Sequence, residues 1–420
     1  MSSNLAKNSI LTLLANLSFS LTNWLLLVVI AKVYDTAFLG QFVLALSILS
    51  PVFLLSSLKL RTLIVVDVDT EYSLEQYLGT RLLLSSIGLI LSILLGISFF
   101  NNVSFSLLLL IGVYKWCDSW CELFYAYYHR TGRFDTATFS QCGRSVLSMS
   151  VILIIALISD SAILMVSGWV ATTVVFSIVD TVIFTNLRRR DESVSTNWIS
   201  LLSVQYAVRT PLRILKKYYT LSISLVVGAL FVYIPNFVIE KYSGIEAAGE
   251  FAAVSYFLIA GGLLIHSVSQ ASSPRLAVFA KQENWKGLIT LTFKMCLIGA
   301  AIGVSGVIVA LVAGKFFLEL FYNPEIALLS EELTWVLVAA AIRYIYIFIG
   351  TAMNALKQFH TQTYIYAVGT LCVLVACLFW VPEYGSLGAA KAMVFATCME
   401  CILFGFFFWR NVKIKEKAHD

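Results

Sequence analysis

Twelve times this chain runs for about twenty residues with few charged side chains, and that repetition decides its class. A helix needs roughly 20 mostly apolar residues to cross the hydrocarbon of a bilayer. Stretches of this kind lie near 10–33, 39–57, 79–100, 107–128, 137–158, 162–186, 219–240, 247–268, 290–313, 333–356, 362–381 and 387–409. In lipid every backbone N–H and C=O must be bonded within the protein, so each run has to be helical. The expectation is an all-α polytopic membrane protein. Pro51 and Pro235 fall inside the second and seventh runs and are expected to kink them. Composition agrees, at 59% hydrophobic and 13% charged, against about 25% charged in soluble proteins. The sequence has no glycine-rich phosphate loop and no basic-aromatic surface suited to nucleic acid. LAKNSILTLLANLSFSLTNWLLLVVIAK is too long for the apolar core of a signal peptide and lacks a small-residue cleavage site, so it reads as a retained first span.

Basic residues set the orientation. With the N-terminus in the cytoplasm, alternate span ends carry Lys7, Lys59, Arg61, Arg81, Arg130, Arg133, the Arg188–Arg190 run and the later clusters through Lys417. The opposite ends hold Lys32, Lys241 and Lys315. That asymmetry obeys the positive-inside rule and predicts that both termini are cytoplasmic. The longest inner segment, 187–219, mixes apolar and basic residues at helical spacing and predicts an amphipathic helix on the inner leaflet. It divides the chain into an N-terminal six-helix lobe (1–190), a linker (191–218), a C-terminal six-helix lobe (219–410) and a basic tail (411–420). The halves echo each other: Gly40-Gln41-Phe42 follows span one, and Gly249-Glu250-Phe251 follows span seven. Both copies run the same way across the membrane, which predicts lobes related by a pseudo-two-fold along the membrane normal.

Charges inside the spans are costly and mark either ion pairs or a wet path. At ~100° per residue, Lys115, Asp118 and Glu122 form one stripe on span four. Counted from the inner ends of their spans, Glu122, Arg144 and Asp180 fall at one level, so Arg144 is expected to pair with Glu122, Asp180 or both. Lys115 has Asp118 one turn away. Arg343 and Glu400 lie near the middles of spans ten and twelve, as a further candidate pair, and Lys391 stands without an obvious acid. Arg144, Asp180 and Glu400 are therefore candidates for structural ion pairs. Basic residues within the spans of both halves suggest a cavity that attracts an anion.

The other polar signals are weaker. The eight cysteines lie in apolar stretches and read as small packing residues; no metal-ligand spacing occurs, and no metal or cofactor is expected. Tyr125, Tyr127 and Tyr128 read as an interface belt. Gly299-x-x-x-Gly303, with Gly306, reads as a helix-packing face. Asn16 and Asn23 share a face of span one and could line a polar path.

Twelve spans in two halves, VYDTAFLGQF after span one, GKFFLELFYNPEI between spans nine and ten, and VPEYGSLGAAKAM leading into span twelve resemble the polysaccharide-unit flippases. These belong to the multidrug/oligosaccharidyl-lipid/polysaccharide exporter superfamily. The resemblance covers nearly the whole chain. It implies a bacterial inner-membrane flippase, not an enzyme, that carries an oligosaccharide repeat on undecaprenyl pyrophosphate from the inner to the outer leaflet by alternating access. The glycan would feed O-antigen, capsule or another polymer. Arg61, after span two, matches a position where relatives often carry a cation facing the cavity. With Lys115, Arg343 and Lys391 it completes the candidate substrate-binding set. Asp118 and Glu122 are the candidates for coupling to H+ or Na+. The resemblance also implies contact with membrane lipids, a polymerase and a chain-length regulator. Three rivals remain: a drug/cation antiporter of the same superfamily, expected to show a dominant acidic site; a membrane glycan polymerase, expected to carry a long outer loop; and a lipid II flippase, expected to show arginines in span one.

Overall fold

The computed structural model describes residues 2–66, 72–100, 102–192 and 210–417, and among these there is no strand. The helices are α1 (Ser2–Val33), α2 (Thr36–Ser57), α3 (Leu60–Val66), α4 (Leu74–Phe99), α5 (Phe105–Arg130), α6 (Phe134–Ile158), α7 (Ala162–Glu192), α8 (Thr210–Ser243), α9 (Ile245–Lys281), α10 (Trp285–Phe321), α11 (Pro324–Ala327), α12 (Ser330–Ala355) and α13 (Phe359–Lys417). Nine helices among the described residues are long and apolar enough to cross a membrane. α5 falls short because it carries the Lys115–Asp118–Glu122 stripe.

α13 supplies two crossings. At 59 residues a straight helix would be ~90 Å long, about three bilayer cores. Its backbone leaves the helical region at Gly385 (φ 57°, ψ −135°). Eight residues of straight helix span ~12 Å, yet a Cβ on Gly388 would come within 2.3 Å of the Trp380 carbonyl oxygen. The chain therefore folds back at Gly385. With α5 and the 37-residue α9 added to the nine and α13 counted twice, the long helices give twelve crossings, and the protein is an all-α polytopic membrane protein. Pro51 and Pro235 lie inside α2 and α8 as the sequence suggested.

Two expectations need correction. The stretch GKFFLELFYNPEI (314–326), which the sequence sets between spans nine and ten, is mostly helical: α10 continues to Phe321, Asn323 caps α11 by accepting the Ile326 N–H at 2.8 Å, and α12 begins at Ser330. Tyr125, Tyr127 and Tyr128 are not an interface belt but core residues, all nearly inaccessible. They cluster with Leu58, Ile64, Phe124, Phe184 and Ile214, and the Phe124 and Phe184 rings stack at 4.7 Å. α5 buries this face because its polar stripe is met by arginines on neighbouring helices, so the rings fill the space between.

The chain divides into two compact units, 1–226 and 227–420, and the division falls inside α8. In the first, α6 packs on α1 and α7, while α5 packs on α2, α3, α4 and α7. In the second, α12 is central, packed on α9, α10 and α13. Most of the expected surface helix, 193–209, lies outside the described residues; Thr210–Lys217 is already part of α8. Phe42 and Phe251, the matching positions of the internal echo, are both buried.

Gly299 and Gly303 explain the tight α10–α12 contact. A Cβ on Gly299 would lie 2.7 Å from the Tyr344 carbonyl oxygen, and one on Gly303 would lie 2.4 Å from the Ala341 Cα. Gly306 has nothing within 4 Å and is no part of this face. Gly303→Ala is expected to lower stability by about 1–3 kcal/mol. Gly385→Ala should cost about 1–2 kcal/mol, because only glycine adopts that backbone readily. Gly306→Ala should be neutral. Thermal denaturation in detergent checks all three.

Candidate functional site

Most described charges of the first unit that lie within the bundle are spoken for. Asp118 on α5 meets Arg144 of α6, Nη2 to Oδ1 at 2.9 Å. One turn on, Glu122 meets Arg81 of α4 at 3.5 Å. Glu75 at the start of α4 meets Arg188 near the end of α7 at 2.5 Å. Asp180 on α7 is fully buried. It accepts hydrogen bonds from the Tyr125 hydroxyl at 2.9 Å and the Ser140 hydroxyl at 2.5 Å. The Tyr128 hydroxyl donates to the Asp180 backbone carbonyl at 3.4 Å.

These partners differ from those the sequence suggested. Arg144 pairs with Asp118, not with Glu122 or Asp180. The reason lies in the helix ends. α5 runs on to Arg130 and α6 begins at Phe134. That places Glu122 eight residues, Arg144 ten and Asp118 twelve from the shared turn, so Arg144 stands midway between the two acids and its side chain takes the deeper one. Glu122 is left to Arg81. Arg81 was counted among inner-end surface charges, but its side chain is 1% exposed. The missed signal was Ser73-x-x-Gln76, a capping box in the structure. It starts α4 at Leu74, ahead of the apolar run, and so draws Arg81 into the bundle.

The four candidate substrate-binding cations behave differently. Arg61 on α3, Lys115 on α5, Arg343 on α12 and Lys391 on α13 are each half-buried. None of them is in an ion pair among the described residues. Three lie against aromatic rings. Lys115 Nζ is 5.9 Å from the Tyr114 ring centre. The Arg343 guanidinium is 5.1 Å from that of Phe231. Lys391 Nζ is 5.7 Å from Trp335 and 5.4 Å from Tyr384. Asp118, which the sequence set beside Lys115, is taken by Arg144.

In the second unit Glu400 is 1% exposed. Its Oε2 accepts from the Tyr346 hydroxyl, and its side chain fills the space over Gly369 that a Cβ there would need. Arg343 makes no ion pair with it, and Arg343 Nη1 is buried without a hydrogen-bond partner. The expected Arg343–Glu400 salt bridge is therefore not formed. Asn16 is exposed and Asn23 half-buried. The eight cysteines are free thiols.

No family model matches the sequence. The chain is 26% identical over 409 residues, 97% of its length and 100% of the relative's, to the capsular polysaccharide biosynthesis protein CapF of Staphylococcus aureus. Its fold matches that of the lipid II flippase MurJ in an inward closed conformation, with a TM-score of 0.71 at 14% identity over 93% of this chain and 86% of that one. It also matches an inward-facing multidrug resistance transporter of the MATE family, of the MOP superfamily, with a TM-score of 0.65 at 12% identity over 97% and 96% of the two chains. A MOP-superfamily transporter from Pyrococcus furiosus gives 0.64 at 13% identity over 98% and 96%. The chain has the fold of the MOP-superfamily transporters, and its resemblance to the polysaccharide-unit flippases among them is borne out by a capsule-biosynthesis relative along nearly its full length.

Proposed function

We propose that the chain is a flippase that moves oligosaccharide units on a polyprenyl pyrophosphate carrier from the inner to the outer leaflet by alternating access. The observation that carries this reading is the set of half-buried cations, Arg61, Lys115, Arg343 and Lys391, present in both units and without acid partners. A pyrophosphate entering low dielectric needs fixed positive charge to offset lost hydration. Cations already neutralised by carboxylates could not supply it. The acyl carrier stays in the bilayer while the headgroup and sugars cross, and no covalent bond is made. The capsule-biosynthesis relative supports this substrate class.

In this reading both termini are cytoplasmic, the membrane is a bacterial inner membrane, and an ion gradient drives the cycle. Asp118 and Glu122 are the coupling carboxylates; each must leave its arginine to bind a proton or sodium ion. A drug/cation antiporter fits less well, because it needs carboxylates open to a cationic substrate. Asp118, Glu122, Asp180 and Glu400 each have a partner.

In a strain lacking the gene, Arg61→Ala, Lys115→Ala, Arg343→Ala and Lys391→Ala are expected to lower translocation about tenfold each, with normal abundance in the membrane. The loss corresponds to one charge-assisted contact. Lipid-linked repeats trapped on the inner leaflet are the readout. Four variants at full abundance and full activity would sink the reading. The paired arginines supply a contrast. Arg144→Ala strands Asp118 and should cost about 3–5 kcal/mol of stability, seen as lost protein in the membrane. Arg144→Met with Asp118→Leu should restore abundance.

A further inference from the structure

The far end of α10 and the start of α12 enclose an open recess of about 770 Å³, within the roughly 300–1,000 Å³ typical of small-molecule sites. It lies wholly in the second unit, and the candidate cation Lys391 stands beside it, its Nζ 5.7 Å from the ring centre of the lining Trp335. One wall is apolar, with Val312 83% and Phe316 62% exposed. On a membrane-spanning helix such side chains face acyl chains, so the recess opens toward lipid. Lys315, Glu319 and Glu331 also line it, together with half-buried Trp335. Lys315 and Glu319 stand one turn apart, the spacing at which opposite charges pair along a helix. Yet neither is in an ion pair among the described residues. The Glu331 carboxylate accepts the Trp335 indole N–H at 3.4 Å and has no cation. The recess thus sets Lys315 and two carboxylates, none in an ion pair among the described residues, beside an apolar wall.

We propose that this recess binds the headgroup of a phospholipid carrying both a phosphate and a primary amine, phosphatidylethanolamine being the simplest. Lys315 takes the phosphate, Glu319 and Glu331 take the ammonium, and an acyl chain runs along Val312 and Phe316. An anionic headgroup such as phosphatidylglycerol brings no ammonium and would leave both lining carboxylates without a cation. A glycan could also use Trp335 and the carboxylates, but it has no use for a wall open to lipid. The recess shares Trp335 with the candidate cation Lys391, but its test reads lipid preference and not translocation, so the two readings fail separately.

The test uses the full chain in phosphatidylcholine nanodiscs doped with brominated phosphatidylethanolamine or brominated phosphatidylglycerol. The Trp335 share of the emission is the difference between wild type and Trp335→Phe. It should be quenched about fivefold more effectively by the amine-bearing lipid, the worth of one partly exposed charge contact. Glu319→Gln with Glu331→Gln should erase that preference. Equal quenching by the two lipids overturns the proposal, as does a preference that survives the double substitution. Relief of quenching by a soluble oligosaccharide also overturns it and makes the recess a sugar site. Should Trp335→Phe fail to fold, retention of the two lipids in native mass spectrometry, by wild type and the double glutamine variant, decides the question by the same preference or its absence.

Discussion

A fully buried guanidinium is costly without a counter-charge, and the first unit is arranged around that constraint. Arg81, Arg144 and Arg188 are all buried, and each reaches a carboxylate on a different helix. Their pairs tie α4 to α5, α6 to α5 and α7 to α4. α5 is the hub because Asp118 and Glu122 stand one turn apart and serve two neighbouring helices. Taking such pairs out of water costs about what their attraction returns, so they are weak sources of stability. Their effect is on register: a helix that slides by one turn strands a charge. That is why a span in lipid carries a stripe which on hydropathy alone looks misplaced.

Charges outside this scheme are the informative ones. A cation against an aromatic ring gains a modest electrostatic contact, typically about 0.5–2 kcal/mol, but its net charge is not cancelled. Lys115, Arg343 and Lys391 are parked in this way. A ring holds the side chain in place and leaves its field available to an incoming anion, whereas a carboxylate would consume it. The difference between paired and parked cations therefore separates residues that hold the bundle from residues able to meet a phosphate.

The crossings were legible in the sequence because bilayer thickness fixes the length of an apolar run. Helix ends were not, because beyond the hydrocarbon a helix no longer needs apolar residues. α9 continues to Lys281, and α10 extends from Trp285 to Phe321, well past their apolar stretches. Small errors in those ends become errors in partners. Moving the α5–α6 turn by two or three residues transferred Arg144 from Glu122 to Asp118. Starting α4 at its cap rather than at its first apolar residue turned Arg81 from a surface charge into a core one. The tyrosines failed for a related reason: Tyr125, Tyr127 and Tyr128 sit near a span end, where a belt is the common reading. Nothing in their spacing announces that the Tyr125 hydroxyl reaches the Asp180 carboxylate, and the Tyr128 hydroxyl its backbone carbonyl, on another helix. The three parked cations, Lys115, Arg343 and Lys391, were legible because mid-span charge is visible without knowing any helix end; Arg61 came from the family resemblance.

The two units meet the packing problem by different means, which explains why their sequence echo is faint. The first relies on buried ion pairs whose arginines come from three helices. The second draws its helices together through missing side chains. Gly299 and Gly303 bring the α10 backbone against that of α12, Gly369 makes room for the Glu400 side chain, and Gly385 with Gly388 lets α13 turn back on itself. Because close backbone contact does the work there, Arg343 is not consumed as a structural counter-ion, and Glu400 is held by a tyrosine hydroxyl instead. A repeated topology needs only the same apolar lengths and turns. The residues that lock each copy are free to diverge, while each unit keeps a mid-span cation outside any ion pair among the described residues, Lys115 in the first and Arg343 in the second.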